Sequence, residues 1–400
     1  MKKNQTSQIV PQTQSEAFDP DFTAPAFFDE LITPNAHESS AFFLSLAAML
    51  DGYDVRFLRN KKEAGLTFRT LAPEVAAAEF IEISSGSVKR YFQGSQCSQI
   101  SHPALMATKD KLWTKKLLHI KGINTPVGGD VSVQNMTVLQ ALANAGVRRF
   151  LVKPVEGSLA AGIAANLSAQ QAAAHVRRNP KERFIVEQQI YGTEYRTFVV
   201  GGKLIGANRR DHQHVIGDGI QTIRQLLEMR SNDRLRNPVF CNRGVDWPQA
   251  EIAMMQAGDT LDRLAAVGEK VMLVTRLTAN EADNMVGSLD DLPPSVAQTC
   301  VKAAKVLGSP VLSFDCIVDG KGKTFILEAN AKTMIRTLVL PHPTGRWSLD
   351  IPRAIIAQFL PKPKQPRRVI IGYRFAELRA EVFREGRTKP VNALDFATIC

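Results

Sequence analysis

Three groups of residues carry chemistry by type and spacing. The first is Lys153, which follows the apolar run Phe150-Leu151-Val152 and precedes Pro154 and the small-residue loop Glu156-Gly157-Ser158-Leu159-Ala160-Ala161-Gly162. Small side chains let backbone N–H groups approach a polyphosphate closely, and a lysine beside them adds a point charge. A Gly/Ala loop that merely joins two strands is the competing explanation. The second group is Asp315, followed thirteen residues later by Glu328-Ala329-Asn330. Asp319-Gly320-Lys321-Gly322 reads as a hairpin turn, so the acids and the carboxamide can face each other across adjacent strands. All are hard oxygen donors, suited to a Mg²⁺ that bridges phosphates. Solvated strand-end acids are the plain alternative, against which Glu328 stands by lying in an otherwise apolar run. The third group is Phe184-Ile185-Val186-Glu187-Gln188-Gln189-Ile190, then Tyr191-Gly192-Thr193-Glu194-Tyr195-Arg196. An apolar strand ending in an acid and amides could edge an adenine ring, with Glu194 accepting from ribose hydroxyls. In isolation, ordinary strand-end polars explain that group better.

Other phosphate and hydrolase signatures are missing. The sequence has no GxxxxGK[ST], no HExxH and no GxSxG, and Gly217-Asp218-Gly219 lacks the third glycine of a dinucleotide site.

These residues need elements to hold them. Residues 1 to about 25 are polar and proline-bearing and read as a frayed arm. An N-terminal α/β domain over 26–105 follows, with a helix at Ser40 to Leu50 and strands at Asp54 to Leu58 and Phe80 to Ile83. A helix is predicted from about Leu105 to Ile120, ended by Gly122 with Pro126 beyond. A central unit over 106–208 contains helices at Ser132 to Ala145 and Ser168 to Arg178. Its strands are Arg149 to Lys153, Arg183 to Glu187, Tyr195 to Val200 and Leu204-Ile205. A further unit over 209–361 has a helix at Pro294 to Leu307 and strands at Val311 to Val318 and Thr324 to Glu328. Residues 362–400 form a basic extension, with nine Lys or Arg against four acids. Antiparallel strands with helices on one side place the chain in the α/β (α+β) class.

Composition bounds the partners. The 400 residues are 44% hydrophobic and 22% charged, an ordinary globular balance, with a formal net charge of +11. That excess suits nucleic acid or an anionic small molecule, without choosing between them. Five cysteines without a CxxC pair disfavour a zinc ribbon or secreted disulfide framework and point to a reducing cytosol. Lys2 and Lys3 lack a following apolar core, and Ala41 to Leu50 is too short to span a bilayer, so no export or membrane signal is expected. A cytoplasmic location without a membrane partner is the expectation.

Taken in order, these motifs resemble the ATP-grasp carboxylate–amine ligases. Within that superfamily the chain is most similar to the ATP-grasp module of cyanophycin synthetase and of bifunctional glutathione synthetases. The resemblance runs from about Lys109 to Ile356. It includes Lys109 to Lys115 before Gly122-Ile123-Asn124-Thr125-Pro126, then Val152-Lys153-Pro154 and the loop to Gly162. It continues through Glu187, Gly192 to Arg196, Val199 to Lys203, Arg209-Arg210, Val215 to Gly219 with Thr222-Ile223, and Asp315, Glu328 and Asn330.

The resemblance implies an ATP-grasp fold, in which an N-terminal α/β domain precedes two α+β subdomains that sandwich ATP. It further implies that Lys111 and Lys153 hold ATP phosphates beneath a loop around Gly157 and Ser158. Glu187, Gln188 and Ile190 would line the adenine and Glu194 would meet the ribose. Asp315, Glu328 and Asn330 would bind two Mg²⁺, with Mn²⁺ as a substitute. Arg209 or Arg210, and Arg336, would steady the phosphoryl group or the substrate carboxylate. The implied reaction is amide formation between a carboxylate and an amine, amino acids by expectation, through an acylphosphate with release of ADP and phosphate. Many relatives carry an arginine two residues before the first metal aspartate; Ser313 stands there instead. Four hundred residues leave no room for the second ligase domain of cyanophycin synthetase, so a single condensation is expected. Related ligases form homodimers or homotetramers. The alternatives are a glutathione-synthetase-like γ-glutamyl ligase, and a nucleic-acid binder using the basic extension. The acids Glu377, Glu381 and Glu385 and the scarcity of aromatics in that extension speak against the latter.

Overall fold

A computed structural model describes residues 36–58, 80–155, 162–211, 214–236, 245, 247–273, 283–286, 289–339, 349–363 and 391–392. The chain begins with α1 (Ala36–Leu50), then β1 (Asp54–Leu58), β2 (Phe80–Ser85), β3 (Val88–Gln93) and β4 (Gln96–Cys97). Phe43, Leu44, Leu46, Ala47 and Ala48 of α1 are all buried, since a helix apolar on most sides must be covered on most sides. Two helices follow, α2 (His102–Lys109) and α3 (Lys111–Ile120). The single helix expected from Leu105 to Ile120 is therefore broken. Asp110 adopts extended backbone (φ −92°, ψ 106°) and its carboxylate accepts from the Leu112 and Trp113 N–H groups, so it caps a new helix instead of continuing the old one.

The central unit contains β5 (Gly128–Val131), α4 (Thr137–Asn144), β6 (Phe150–Pro154), β7 (Ala164–Leu167), α5 (Ala169–Arg178) and β8 (Phe184–Gln188). Its four antiparallel strands run in the order β5-β8-β6-β7. Apolar faces of α4 and α5 pack on Phe150, Val152, Phe184 and Val186. The helix expected from Ser132 begins only at Thr137, because Ser132 and Asn135 close a turn on each other's backbone. Ser168 caps α5 through a reciprocal bond with Gln171, as Ser-x-x-Gln allows.

The remaining elements are β9 (Gly192–Val200), β10 (Lys203–Asp211), β11 (His214–Ile216), α6 (Ile223–Arg236), α7 (Trp247–Gln256), β12 (Lys270–Met272), β13 (Asp283–Val286), α8 (Pro294–Leu307), β14 (Val311–Asp319), β15 (Thr324–Asn330), α9 (Arg336–Val339), α10 (Asp350–Phe359) and β16 (Val391–Asn392). Five antiparallel strands form a sheet in the order β13-β10-β9-β14-β15. Strands β9 and β10, assigned from sequence to the central unit, thus belong to the C-terminal sheet, and the boundary expected at 208/209 falls inside β10. The change of sheet comes at Gln189 to Tyr191. The described residues between 214 and 273 include a separate apolar cluster that contains Ile223, Leu227 and Leu273. From the basic extension, β16 pairs with β1 and so joins the N-terminal sheet, whose order is β16-β1-β2-β3-β4.

The two faces of the β9–β15 sheet differ sharply. One carries Val199, Leu312, Phe314, Cys316, Ile326 and Ala329 against α8. The other carries Phe198, Val200 and Val311 into a core shared with α1 and the N-terminal strands. Glu194, Arg196, Arg210, Asp315 and Glu328 lie on that second face as well, beside several uncharged polar residues. Among the described residues no helix is long and apolar enough to cross a membrane, and Cys97, Cys300 and Cys316 are free and buried.

Candidate active site

Strand register brings the charged residues together. Asp315 pairs with Arg196 of β9 on one side and with Glu328 of β15 on the other, while Ser313 pairs with Asn330 and Arg210 with Glu194. Alternation then places Glu194, Arg196, Asn208, Arg210, Ser313, Asp315, Glu328 and Asn330 on one face. A bulge makes this possible on β15: Glu328 faces Asp315 but Ile326 faces Cys316, so Leu327 is the extra residue. Without it Ile326 and Glu328 would share a face. With it Ile326 enters the apolar core and Glu328 joins the acids.

The Arg196 guanidinium grips Asp315 with both arms, Nε to Oδ1 and Nη2 to Oδ2 at 2.8 Å each, and Arg210 Nη1 lies 3.3 Å from Oδ1. Burial works against ionisation of Asp315, yet Arg196 and then Arg210 bring its carboxyl down to about 2. Glu328 moves the other way. Burial first, and then the Asp315 charge, raise it against the opposing pull of Lys111, Lys153 and Arg196. Glu194 is lifted by burial to about 7, with Arg210 opposing and Asp315 adding. The Oγ of Ser313 and the Nε of Arg210 are buried without a hydrogen-bond partner.

A second charged cluster sits where α3 meets the central sheet. Lys153 Nζ is 2.7 Å and Lys115 Nζ 3.1 Å from the same oxygen, Oε1 of Glu187. Lys115 also donates to the Pro126 carbonyl at 2.9 Å. Burial pushes the Glu187 carboxyl up, but the Lys153 and Lys115 ammoniums outweigh it and hold it below the usual range. Burial pushes Lys115 down, opposed by Glu187 and reinforced by Lys153.

No family model matches the chain. The glutathione biosynthesis bifunctional protein GshAB of Streptococcus agalactiae serotype V is 25% identical over 284 residues, covering 68% of this chain and 37% of that protein. The cyanophycin synthetase of Crocosphaera subtropica is 23% identical over 343 residues, covering 80% and 39% respectively. That of Synechocystis sp. is 28% identical over 288 residues, covering 67% and 32%. The chain therefore spans less than two-fifths of the length of these relatives. The crystal structure of a bifunctional glutathione synthetase from Pasteurella multocida superposes with a TM-score of 0.52 at 21% identity, over 74% of this chain and 41% of that one. The fold is the ATP-grasp fold.

Within this ATP-grasp fold the residues singled out from sequence are distributed unevenly. Asp315, Glu328 and Asn330 share one face of adjacent strands, and Arg210 joins them. Arg209 does not: alternation turns it to the opposite face, where its Nε meets Asp211 at 3.0 Å. Lys153 and Glu187 pair with each other, and Lys111 lies close enough to act on Glu328. Gln188 ends β8, with its N–H donating to Val127, and Ile190 falls in the link between the two sheets, its carbonyl accepting from the Gln189 side chain. Arg336 opens α9; its side chain, and the whole of Gly157 and Ser158, lie outside the described residues. Two residues escaped the sequence reading as site members, Arg196 and Lys115. Each carries a simple signal: Arg196 is two residues from Glu194 on a strand, and Lys115 is one helical turn from Lys111.

The donor set fits Mg²⁺ in kind, since Asp315, Glu328 and Asn330 offer only oxygen. Among the described residues no group of three or more His, Cys, Asp and Glu is placed to hold a metal ion. The raised Glu328 carboxyl, pressed by Asp315, is the group a divalent cation would relieve.

Proposed function

We propose that the chain is an ATP- and Mg²⁺-dependent ligase that joins a carboxylate to an amine, with amino acids as the substrate class. The observation that carries this reading is the Asp315–Glu328 pair, in register and partly buried, with Arg196 and Arg210 on Asp315, Lys153 acting on both carboxylates and Lys111 on Glu328. So many fixed charges on one face suit phosphoryl transfer, whose catalysis rests on positioning and charge neutralisation.

In this reading Lys111 and Lys153 hold the nucleotide phosphates, Glu187 to Ile190 border the base, and Glu194 meets the ribose. Asp315, Glu328 and Asn330 would hold Mg²⁺, which would supply charge neutralisation to the phosphates. Arg210 directs a guanidinium whose Nε is without a partner toward the same face, placed to meet a substrate carboxylate or the transferring group. Arg196 orients Asp315 and supplies, from the neighbouring strand, the positive charge that Ser313 does not. The acid's carboxylate oxygen attacks the γ-phosphorus and ADP leaves; the amine then attacks the acyl carbon and phosphate leaves.

Incubation with Mg-ATP and pairs from an amino-acid panel is expected to release phosphate and ADP only when an acid and an amine are both present. Asp315→Asn should abolish that release, and unchanged release would count against the metal assignment. Release of AMP and pyrophosphate would overturn the reading. The glutathione-related matches support a γ-glutamyl ligase as the second reading, and formation of a γ-glutamyl dipeptide from glutamate and an amino acid in the same assay would favour it.

A further inference from the structure

The buried cluster on Glu187 has an unusual charge balance. Lys115 and Lys153 are each 7% exposed and Glu187 2%, yet two ammoniums meet one carboxylate oxygen. One lysine would neutralise Glu187; the second leaves a net positive charge where little water screens it. A buried charge of this kind is costly unless a counter-ion lies beside it. The excess is held by construction. Asp110 caps the start of α3, Leu118 of α3 packs in the core shared with α8, β14 and β15, and the Pro126 carbonyl fixes the Lys115 ammonium. Lys115 therefore reaches from a helix docked on the C-terminal sheet to β8 in the central sheet.

We propose that Lys115 is a positioning residue for the nucleotide phosphates: by sharing Glu187 it leaves Lys153 with uncancelled positive charge for the polyanion. Lys115 itself need not touch the nucleotide. This inference rests on the reading that Lys153 holds phosphate, and deepens it. Burial favours the neutral form of Lys115 and Glu187 opposes that, so the charge on Lys115 is what the experiment must probe.

Binding of Mg-ATP and of adenosine to the full chain would be measured by titration calorimetry, with adenosine read by competition. Lys115→Met keeps length and apolar packing but removes the charge. It should weaken Mg-ATP at least tenfold and leave adenosine within twofold. The double variant Lys115→Met with Glu187→Gln leaves Lys153 as the sole charge of the cluster and should recover most of the lost ATP-to-adenosine affinity ratio, in which any effect of Glu187 on the base cancels. Unchanged Mg-ATP binding, or equal losses for ATP and adenosine, would overturn the inference, because a purely structural role affects both ligands alike. Should Lys115→Met fail to fold, Lys115→Arg, which keeps the charge, must preserve the ATP-to-adenosine affinity ratio; a collapsed ratio would overturn the inference. A wild-type chain that binds neither ligand would instead remove the ligase reading on which it depends.

Discussion

At the scale of single residues, the site is a set of carboxylates whose charges are decided by their neighbours. Asp315 is partly buried, its side chain 13% exposed, and stays ionised because a two-armed guanidinium answers both of its oxygens. Removing one partner of a buried ion pair costs about 3–5 kcal/mol. Arg196→Met should lower unfolding free energy in urea by about that much, with Arg210 moderating the loss; a change below about 1 kcal/mol would mean the pair is not formed. Glu194 behaves oppositely. Its folded carboxyl sits at about 7 against 4.5 for the free group, so the folded state holds a proton that the unfolded state releases. Stability should therefore fall as pH rises from about 4.5 to about 7, and flatten above. Glu194→Gln should remove that decline, which denaturation at several pH values would show. The acids themselves were legible in the sequence because Glu328 interrupts an apolar run. Their partners were harder to read: Arg196 and Lys115 stand at strand and helix spacing from Glu194 and Lys111, but the carboxylates they meet come from another strand or sheet. The choice between Arg209 and Arg210 is likewise made by strand parity, which sequence alone leaves open once a bulge occurs between Leu204 and Gly206.

At the scale of elements, the site depends on where strands change sheet and where they slip. The link Gln189 to Tyr191 hands the chain from the central sheet to the C-terminal one, and Gly192 opens the new strand. A Cβ on Gly192 would lie 1.9 Å from the Val318 carbonyl oxygen, so any larger residue must push β9 from β14. Gly192→Ala should destabilise by about 3 kcal/mol, read as a lower urea midpoint, and should weaken nucleotide binding by disturbing the Glu194 end of β9. An alanine variant of wild-type stability would contradict the tight approach. Hydrophobic periodicity made α1, α4, α5, α8 and the β14–β15 hairpin readable, with α8 matching its expected span, but gave no sign of α6, α7, α9 or α10. Periodicity missed β5 and β7, which are four residues each and carry Gly or Asn, and it ran α2 into α3 because Asp110 is a cap only when its backbone leaves the helical region.

At the scale of the whole molecule, the sheet that carries the charged face is held by two apolar cores. The N-terminal strands and α1 share a core with Phe198 and Val200 of β9, so the arm of the sheet that carries Glu194 and Arg196 is anchored at its other end. A ligand bridging the central and C-terminal sheets binds only the folded chain and should stabilise it. Mg-ATP at a hundred times its dissociation constant should add about 2.7 kcal/mol to the unfolding free energy, and Asp315→Asn should reduce the gain. The pairing of β16 with β1 had no sequence signal, because two residues within a basic extension carry no periodicity. In this mechanism the first bond to form joins the acid's carboxylate oxygen to the γ-phosphorus. With the acid that supports turnover labelled by ¹⁸O in its carboxylate, attack on the γ-phosphorus must carry one labelled oxygen into the inorganic phosphate released when the amide forms. Phosphate with one ¹⁸O per amide, measured by mass spectrometry, is the expected result. Unlabelled phosphate, or label recovered in AMP, would contradict the account.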